Sequence, residues 1–418
     1  MSARGRAGRG RRTDPRPCKD LLFGFGVGGE YPLSASISSE QSASKAASAE
    51  LDGAEVPPSR GRDVLLTFTM KGLGTNAGNL VFFALTASAG QAAAAPATVT
   101  RNYRLTMGIA VALLLGILPF RVLAHESEQW QAQKRRKEEA GVPTPGTAVI
   151  VRAYWLRLVG TCGSWFLWDV IQYGNSLFSK QITASFDGGL TPVQVSGYAW
   201  LYEAVALVGY FAAAFTVDRM GRRRMQLMGF AVVAALFFVF GGVVPTLQRQ
   251  NLSAVFVFLY CEYLVRRAAR PARRTDVLVQ GLAKFFSAFG ADSTTFLIPS
   301  EAFATPVRAR CHGLSAFSGK MGALVGTFGV GTLNDTAGLP AVFFFLGAAA
   351  LGGAALTYFL IPESRDIDPA AEDERFVLAW LGDGEVAARY RDYQKQSVRD
   401  LERHAEGPAA GGVELRPT

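Results

Sequence analysis

Apolar residues along this chain are concentrated in long blocks. The stretches 64–88, 105–124, 226–246 and 339–361 are each long enough to cross a bilayer, which takes roughly 20 apolar residues. Together with the less uniform blocks between them, the pattern predicts nine membrane helices. They lie at 20–39, 64–88, 104–124, 156–178, 193–217, 226–247, an interrupted one within 253–303, 312–333 and 339–361. The predicted fold class is therefore all-α: a polytopic membrane protein of about nine transmembrane helices.

The polar stretches divide the chain. Residues 1–19 form a basic N-terminus expected to be disordered, and they lack the apolar core of a signal peptide. A first set of helices occupies 20–124. The stretch 125–152 carries both signs of charge and the run Pro143-Thr-Pro145-Gly, and it is expected to be a cytoplasmic linker. Six further helices fill 153–361. The tail 362–418 has no apolar span and is expected to be cytoplasmic and partly disordered. One segment breaks the pattern. Between apolar 254–263 and amphipathic 284–303 lies a stretch with five Arg in 266–274. An Arg at the bilayer centre costs about 2.5–3.5 kcal/mol on insertion scales. The stretch 264–283 therefore either loops out or does not belong to the working protein.

Composition sharpens the membrane reading. Only 18% of the 418 residues are charged, against about a quarter in ordinary soluble domains, and mean hydropathy is +0.17. The net charge of +9 sits largely in residues 4–19, 134–137 and 266–274. Basic clusters between apolar spans mark cytoplasmic loops, and no nucleic-acid-reading module accompanies these. The 4 cysteines show no C-x-x-C spacing, so neither a disulfide framework nor a zinc site follows. No phosphate-binding Walker loop or nucleophile elbow is present, which argues against an enzyme. No cofactor is expected. The frequent glycines, among them the Gly322-x-x-x-Gly326 pair, are read as close helix packing.

Ionisable residues inside membrane spans are costly and tend to mark a pathway. Here they are Glu30, Lys71, Asp169, Glu203, Asp292, Glu301 and Lys320. Trp165, Asp169 and Tyr173 are spaced by four. Each such step turns the helix direction by about 40°, so an indole N–H, a carboxylate and a phenol share one face. The alternative is an interfacial aromatic pair beside a solvated Asp; the mid-segment position of Asp169 speaks against it.

These motifs carry a resemblance. Gly24-Phe-Gly-Val-Gly-Gly-Glu30-Tyr31-Pro32-Leu-Ser-Ala resembles the fourth helix of the phosphate:proton symporters of the major facilitator superfamily. Trp165-Phe-Leu-Trp-Asp169-Val-Ile-Gln-Tyr173 resembles their seventh helix. Phe289-Gly-Ala-Asp292 through Glu301, then Cys311-His-Gly and Ser318-Gly-Lys320, resemble their tenth and eleventh. Asp218-Arg219-Met-Gly221-Arg222-Arg223 looks like the superfamily's loop motif between helices eight and nine, and Pro362-Glu363-Ser364 like the motif after helix twelve. The resemblance implies a two-bundle fold with a central pocket. In it, Tyr31, Trp165, Asp169 and Tyr173 match substrate-pocket positions, Lys320 matches a pocket-side cation, and Glu30 and Asp169 match the proton pathway. Two positions depart from the family: Lys71 stands for a Gln and Asp292 for an Asn. These two residues could pair across the pocket, or they could change the substrate.

The resemblance further implies proton-coupled uptake of inorganic phosphate by alternating access, with phosphate, protons and membrane lipid as the partners and no nucleic acid. A plasma-membrane location is expected. Nothing in the chain matches the family's first three helices, which implies a chain lacking that part. A related organic-anion or sugar carrier, and a non-transporting truncated product or nutrient sensor, remain alternatives.

Overall fold

The computed structural model describes residues 31–35, 37–39, 42, 60–123, 144–186, 191–249, 283–382, 384–389 and 391–392. Residues 31–35 and 37–39 are helical. The long helices that follow are α1 (Arg60–Ser88), α2 (Pro96–Leu123), α3 (Thr147–Phe186), α4 (Pro192–Met220) and α5 (Arg222–Arg249). Helical residues 283–287 lead through a π turn, Ala288–Asp292, into α6 (Ser293–Glu301). Then come α7 (Thr305–Leu360) and the short α8 (Pro369–Leu381). No strand occurs among the described residues.

Each of α1 to α5 begins before the apolar block that predicts it, because polar flanks such as Arg60-Gly-Arg-Asp63 continue the backbone hydrogen-bond ladder. Among the described residues, four helices are long and apolar enough to cross a membrane: α2 over Pro96–Phe120, α4, α5 over Arg222–Gly242, and α7. Helices α1 and α3 are also long but are interrupted by charges, including Lys71 and Asp169. The segments predicted at 312–333 and 339–361 lie within α7, which begins at Thr305 and bends at Gly338. There φ is +79°, a left-handed value that only glycine adopts without a Cβ clash. Glu30, the N-terminal half of the segment 20–39, and the five-Arg stretch lie outside the described residues.

Local signals fix the helix ends. Thr191 caps α4: its hydroxyl accepts from Gln194 N at 3.3 Å, and Gln194 Oε1 accepts from Thr191 N at 3.0 Å. That reciprocal arrangement satisfies two backbone donors that the helix itself leaves unpaired. Gly221, at φ +89°, separates α4 from α5. The Glu363 carboxylate then accepts from the N–H groups of Arg222 and Arg223 at 2.8 and 3.1 Å, an anion at a helix N-terminus.

Packing follows small residues. Helix α3 lies along α7, α1 along α4, and α5 along α7. A Cβ on Gly322 would stand 2.1 Å from Phe166 O, and one on Gly326 would stand 2.5 Å from Val170 O. The G-x-x-x-G pair thus lets the backbones of α3 and α7 touch, which rewards membrane helices through close van der Waals packing. By contrast α2 is apolar on all sides from Met107 to Phe120 and covered by little protein, with Leu113, Leu114, Leu115 and Phe120 exposed. Such a surface suits hydrocarbon.

Part of the tail is ordered. Helix α8 docks on the start of α3, where Glu372 Oε1 accepts from Tyr154 OH at 2.8 Å and from Arg157 Nη1 at 2.7 Å. The Tyr154 and Phe376 rings stack with centroids 5.6 Å apart. Burial, and then the bond to Glu372, raises the Tyr154 pKa, so the phenol stays a donor. Asp373 Oδ1 accepts from Thr305 N at 2.6 Å, at the first turn of α7.

Candidate functional site between two lysine–aspartate pairs

The π turn before α6 sets the position of Asp292. One extra residue in the turn widens the helix, and Ser293 Oγ fills the gap by donating to Ala288 O at 2.6 Å. Such bulges recur at functional sites because they re-aim a side chain. Here the buried Asp292 carboxylate meets donors from three other helices. Lys71 Nζ of α1 lies 2.9 Å from Oδ2 and 3.2 Å from Oδ1. Trp168 Nε1 of α3 donates to Oδ1 at 2.9 Å. Tyr210 OH of α4 donates to Oδ2. A carboxylate taken from water needs such donors to offset its desolvation.

A second pair stands beside it. Lys320 Nζ of α7 donates to Asp169 Oδ2 of α3 at 3.3 Å. The same ammonium lies 5.3 Å from the Tyr31 ring centroid and 5.5 Å from that of Tyr173, both within cation–π range. The three residues spaced by four on α3 therefore face one region: Asp169 and Tyr173 meet Lys320, and Trp165 meets Tyr31 edge-on at 6.3 Å.

Aromatic rings join the pairs. Lys71 sits 4.8 Å from the Phe68 centroid, Phe68 stacks on Phe296 at 4.5 Å, and Phe296 meets Tyr31 edge-on at 6.0 Å. Trp165 and Phe296 both pack edge-on against His312, at 5.6 and 5.3 Å. In each pair the carboxylate is sequestered and the lysine side chain is partly exposed. The side chains of Asp292 and Asp169 are 7% and 6% exposed, whereas Lys71 and Lys320 are both 34% exposed. Ionised groups in a membrane protein face a water-filled cavity or each other, and these face each other. Tyr31, Phe68 and Lys71 precede the stretch 125–152 and the other residues follow it, so the two parts of the chain build the site jointly.

Six of the seven pocket residues expected from the sequence, Tyr31, Trp165, Asp169, Tyr173, Lys320 and Lys71, thus lie around the rings and ammonium groups described, and the seventh, Asp292, is the partner of Lys71. Tyr210 and Trp168 were not among the expected site residues. Tyr210 lies in an apolar run with no polar neighbour to flag it, and Trp168 is one residue from Asp169, on a different face of the helix. Among the described residues no group of three His, Cys, Asp or Glu stands ready to hold a metal.

The loop motif lies elsewhere. Arg222 makes a bidentate contact with Glu301, Nε to Oε2 at 2.8 Å and Nη2 to Oε1 at 2.9 Å, and an ion pair with Asp218 at 2.8 Å. Ser364 Oγ donates to Glu301 Oε2 at 2.8 Å, and Arg62 N to Asp218 Oδ2 at 3.0 Å. Arg365 Nη1 donates to Arg219 O at 3.2 Å, and the Arg223 guanidinium stacks over Tyr358 at 5.1 Å. These residues tie α1, α4, α5, α6 and the segment after α7 together rather than lining the site.

Comparison with known proteins fits this architecture. The family model described as sugar (and other) transporter matches residues 176–266. The probable inorganic phosphate transporter 1-12 of Oryza sativa subsp. japonica is 29% identical, over 84% of this chain and 71% of the relative. The inorganic phosphate transporter PHO84 of Saccharomyces cerevisiae is 28% identical, over 75% of this chain and 58% of the relative. Glycerophosphoinositol permease 1 of Candida albicans is 29% identical, over 63% and 47%. These relatives are named as carriers, and the chain is an integral membrane protein, not an enzyme. By its helical membrane architecture and these matches, the chain is similar to transporters of the major facilitator superfamily and, among them, to inorganic phosphate transporters.

Proposed function

We propose that the chain carries inorganic phosphate across a membrane, most directly the plasma membrane, by alternating access and in symport with protons. The observation that carries this reading is the paired arrangement Lys71–Asp292 and Lys320–Asp169 around shared aromatic rings. An entering oxyanion would find two ammonium groups on partly exposed side chains, with the Tyr31 and Tyr173 hydroxyls and the Trp165 indole as hydrogen-bond donors. Each ammonium engaged by substrate is drawn from its carboxylate. A carboxylate left without its cation in a poorly hydrated space is expensive, and a proton restores neutrality there. This gives a physical route from anion binding to proton uptake, with Asp169 as the proton-carrying carboxylate and Glu30 as a second carboxylate that the family resemblance suggests for the path. In this reading 20–124 and 153–361 are the two moving halves, 125–152 is their linker, and the tail is cytoplasmic.

The names of the rice and yeast relatives support phosphate as substrate. A phosphate-ester carrier is the second reading, favoured by the name of the Candida relative and by the charged pair standing where the family has amides. The test is uptake of labelled phosphate by the full chain in proteoliposomes under an inward proton gradient, with glycerophosphodiester and glucose as competitors. Phosphate uptake that collapses when the gradient is dissipated is the expected result. No phosphate uptake, or uptake indifferent to the gradient, overturns the reading in substrate or in coupling respectively.

A further inference from the structure

A third lysine–carboxylate pair stands apart from the two at the site. Lys284 Nζ lies 2.9 Å from Glu203 Oε1, with side chains 33% and 22% exposed. Glu203 is on α4, seven residues before Tyr210, and Lys284 is eight residues before Asp292. At 1.5 Å per residue the pair is displaced about 10 Å along the helices from the Tyr210–Asp292 contact. The Arg222–Glu301 cluster, with Asp218 near the end of α4 and Glu301 at the end of α6, lies at the other ends of these helices. The three features therefore follow one another along the bundle: Lys284–Glu203, then Lys71–Asp292, then Arg222–Glu301.

The stretch of α1 at this level is polar. Helices α1 and α4 run antiparallel, with Gly72 against Tyr210 and Phe83 stacked on Trp200 at 6.0 Å. The part of α1 between those contacts carries Thr75, Asn76 and Asn79 and is level with Glu203. Asn79 turns its amide nitrogen to Thr75 O at 2.9 Å, and the Asn76 Nδ2 is buried with no hydrogen-bond partner. An ion pair and amides at this depth in an apolar bundle are costly unless water reaches them.

We propose that Lys284 and Glu203 form an outer subsite for the phosphate anion, one step before Lys71 on its way into the site. The inference rests on the transport reading above and adds a second binding station to it. Between passages Glu203 holds the Lys284 ammonium across the path. An arriving anion takes that ammonium, and moves on to Lys71 when the latter parts from Asp292. A cation at the mouth of a low-dielectric cleft raises local anion concentration and capture rate, an effect that weakens with salt. Glu203 prevents Lys284 from holding the anion too tightly to release it.

The experiment is initial-rate uptake of labelled phosphate by full-length parent, Lys284→Gln, Lys284→Arg and the doubly neutral Glu203→Gln/Lys284→Gln in proteoliposomes, at low and high ionic strength. Removing the capturing charge should raise KM by about tenfold, the low end of electrostatic focusing, and flatten its salt dependence, with kcat within about twofold of the parent. Lys284→Arg should restore both KM and salt response. The double variant, which buries no lone charge, should fold as the parent does and keep the high, salt-insensitive KM. If both the single and double variants keep the parent's KM and salt response, the subsite is overturned while the transport reading stands. If the parent itself neither binds nor carries phosphate, the transport reading fails and the subsite falls with it.

Discussion

Lys71 and Asp292 are 221 residues apart in the chain, yet the Lys71 ammonium lies 2.9 and 3.2 Å from the two carboxylate oxygens of Asp292. Asp292 is further held by Trp168 and Tyr210, whereas Lys71 keeps a third of its side chain open. The pair therefore has a fixed half and a movable half. That asymmetry is what a competing anion requires, since it can take the ammonium without rebuilding the pocket.

Lys71→Gln and Asp292→Asn should each impair phosphate uptake, and the double variant should recover much of the loss. Removing one partner of a buried pair costs about 3–5 kcal/mol because the other charge is stranded; the open Lys71 side chain brings the figure here toward the lower end. Removing both strands neither. A double-mutant cycle on uptake and on thermal stability reads the coupling. Strictly additive losses would mean that the two residues act independently.

Asp169→Asn should abolish proton-driven uptake while leaving membrane insertion intact. The amide keeps the shape of the carboxyl group but cannot exchange a proton, and it releases Lys320 from its ion pair. Phosphate counterflow without a gradient should survive better than driven uptake. Driven uptake equal to the parent's would remove Asp169 from the coupling path.

Deleting residues 264–283 should leave expression of the chain unchanged or improve it. Their five Arg would cost on the order of 12–18 kcal/mol at the bilayer centre, so no stable arrangement can rely on their crossing it. Surface expression of the deletion, followed by immunodetection, is the measurement. A marked fall would show that the stretch is needed for folding.

Arg157→Gln should loosen α8 from the start of α3. It removes the 2.7 Å contact to Glu372 Oε1 and leaves a buried carboxylate held by Tyr154 and the outlying Arg375. The loss of a charged hydrogen bond is worth about 1.5–3 kcal/mol, enough to raise the undocked fraction by at least about tenfold. Trypsin cleavage within 369–392, followed over time, should accelerate accordingly. Parent-like cleavage would show that Phe376 stacking and the Asp373 cap hold α8 without the ion pair.

The apolar blocks alone determined that this protein lives in a membrane and is built of helices, because nearly 20 consecutive apolar residues have no other low-energy environment. Among the described residues they also located the helices to within a few turns, and they singled out Asp169, Lys71, Asp292 and Lys320, since charge inside an apolar block stands out by its cost. The spacing of Trp165, Asp169 and Tyr173 placed them on one face, as the structure has them around Lys320 and Tyr31. Partnership was another matter. The resemblance brings Lys71 and Asp292 together as a possible pair, and the structure has that pair; that Asp292 also takes Trp168 and Tyr210, and Asp169 takes Lys320, depends on which helices lie side by side and on the π turn that precedes α6. Periodicity within one helix carries no information about its neighbour. Tyr210 shows the limit most plainly: in sequence it is one more aromatic in an apolar run, and only the approach of α6 turns its hydroxyl into a ligand for a buried charge. The same holds for Glu203 and Lys284, each an isolated charge until the packing of α4 against the helix that leads into α6 brings them within 2.9 Å.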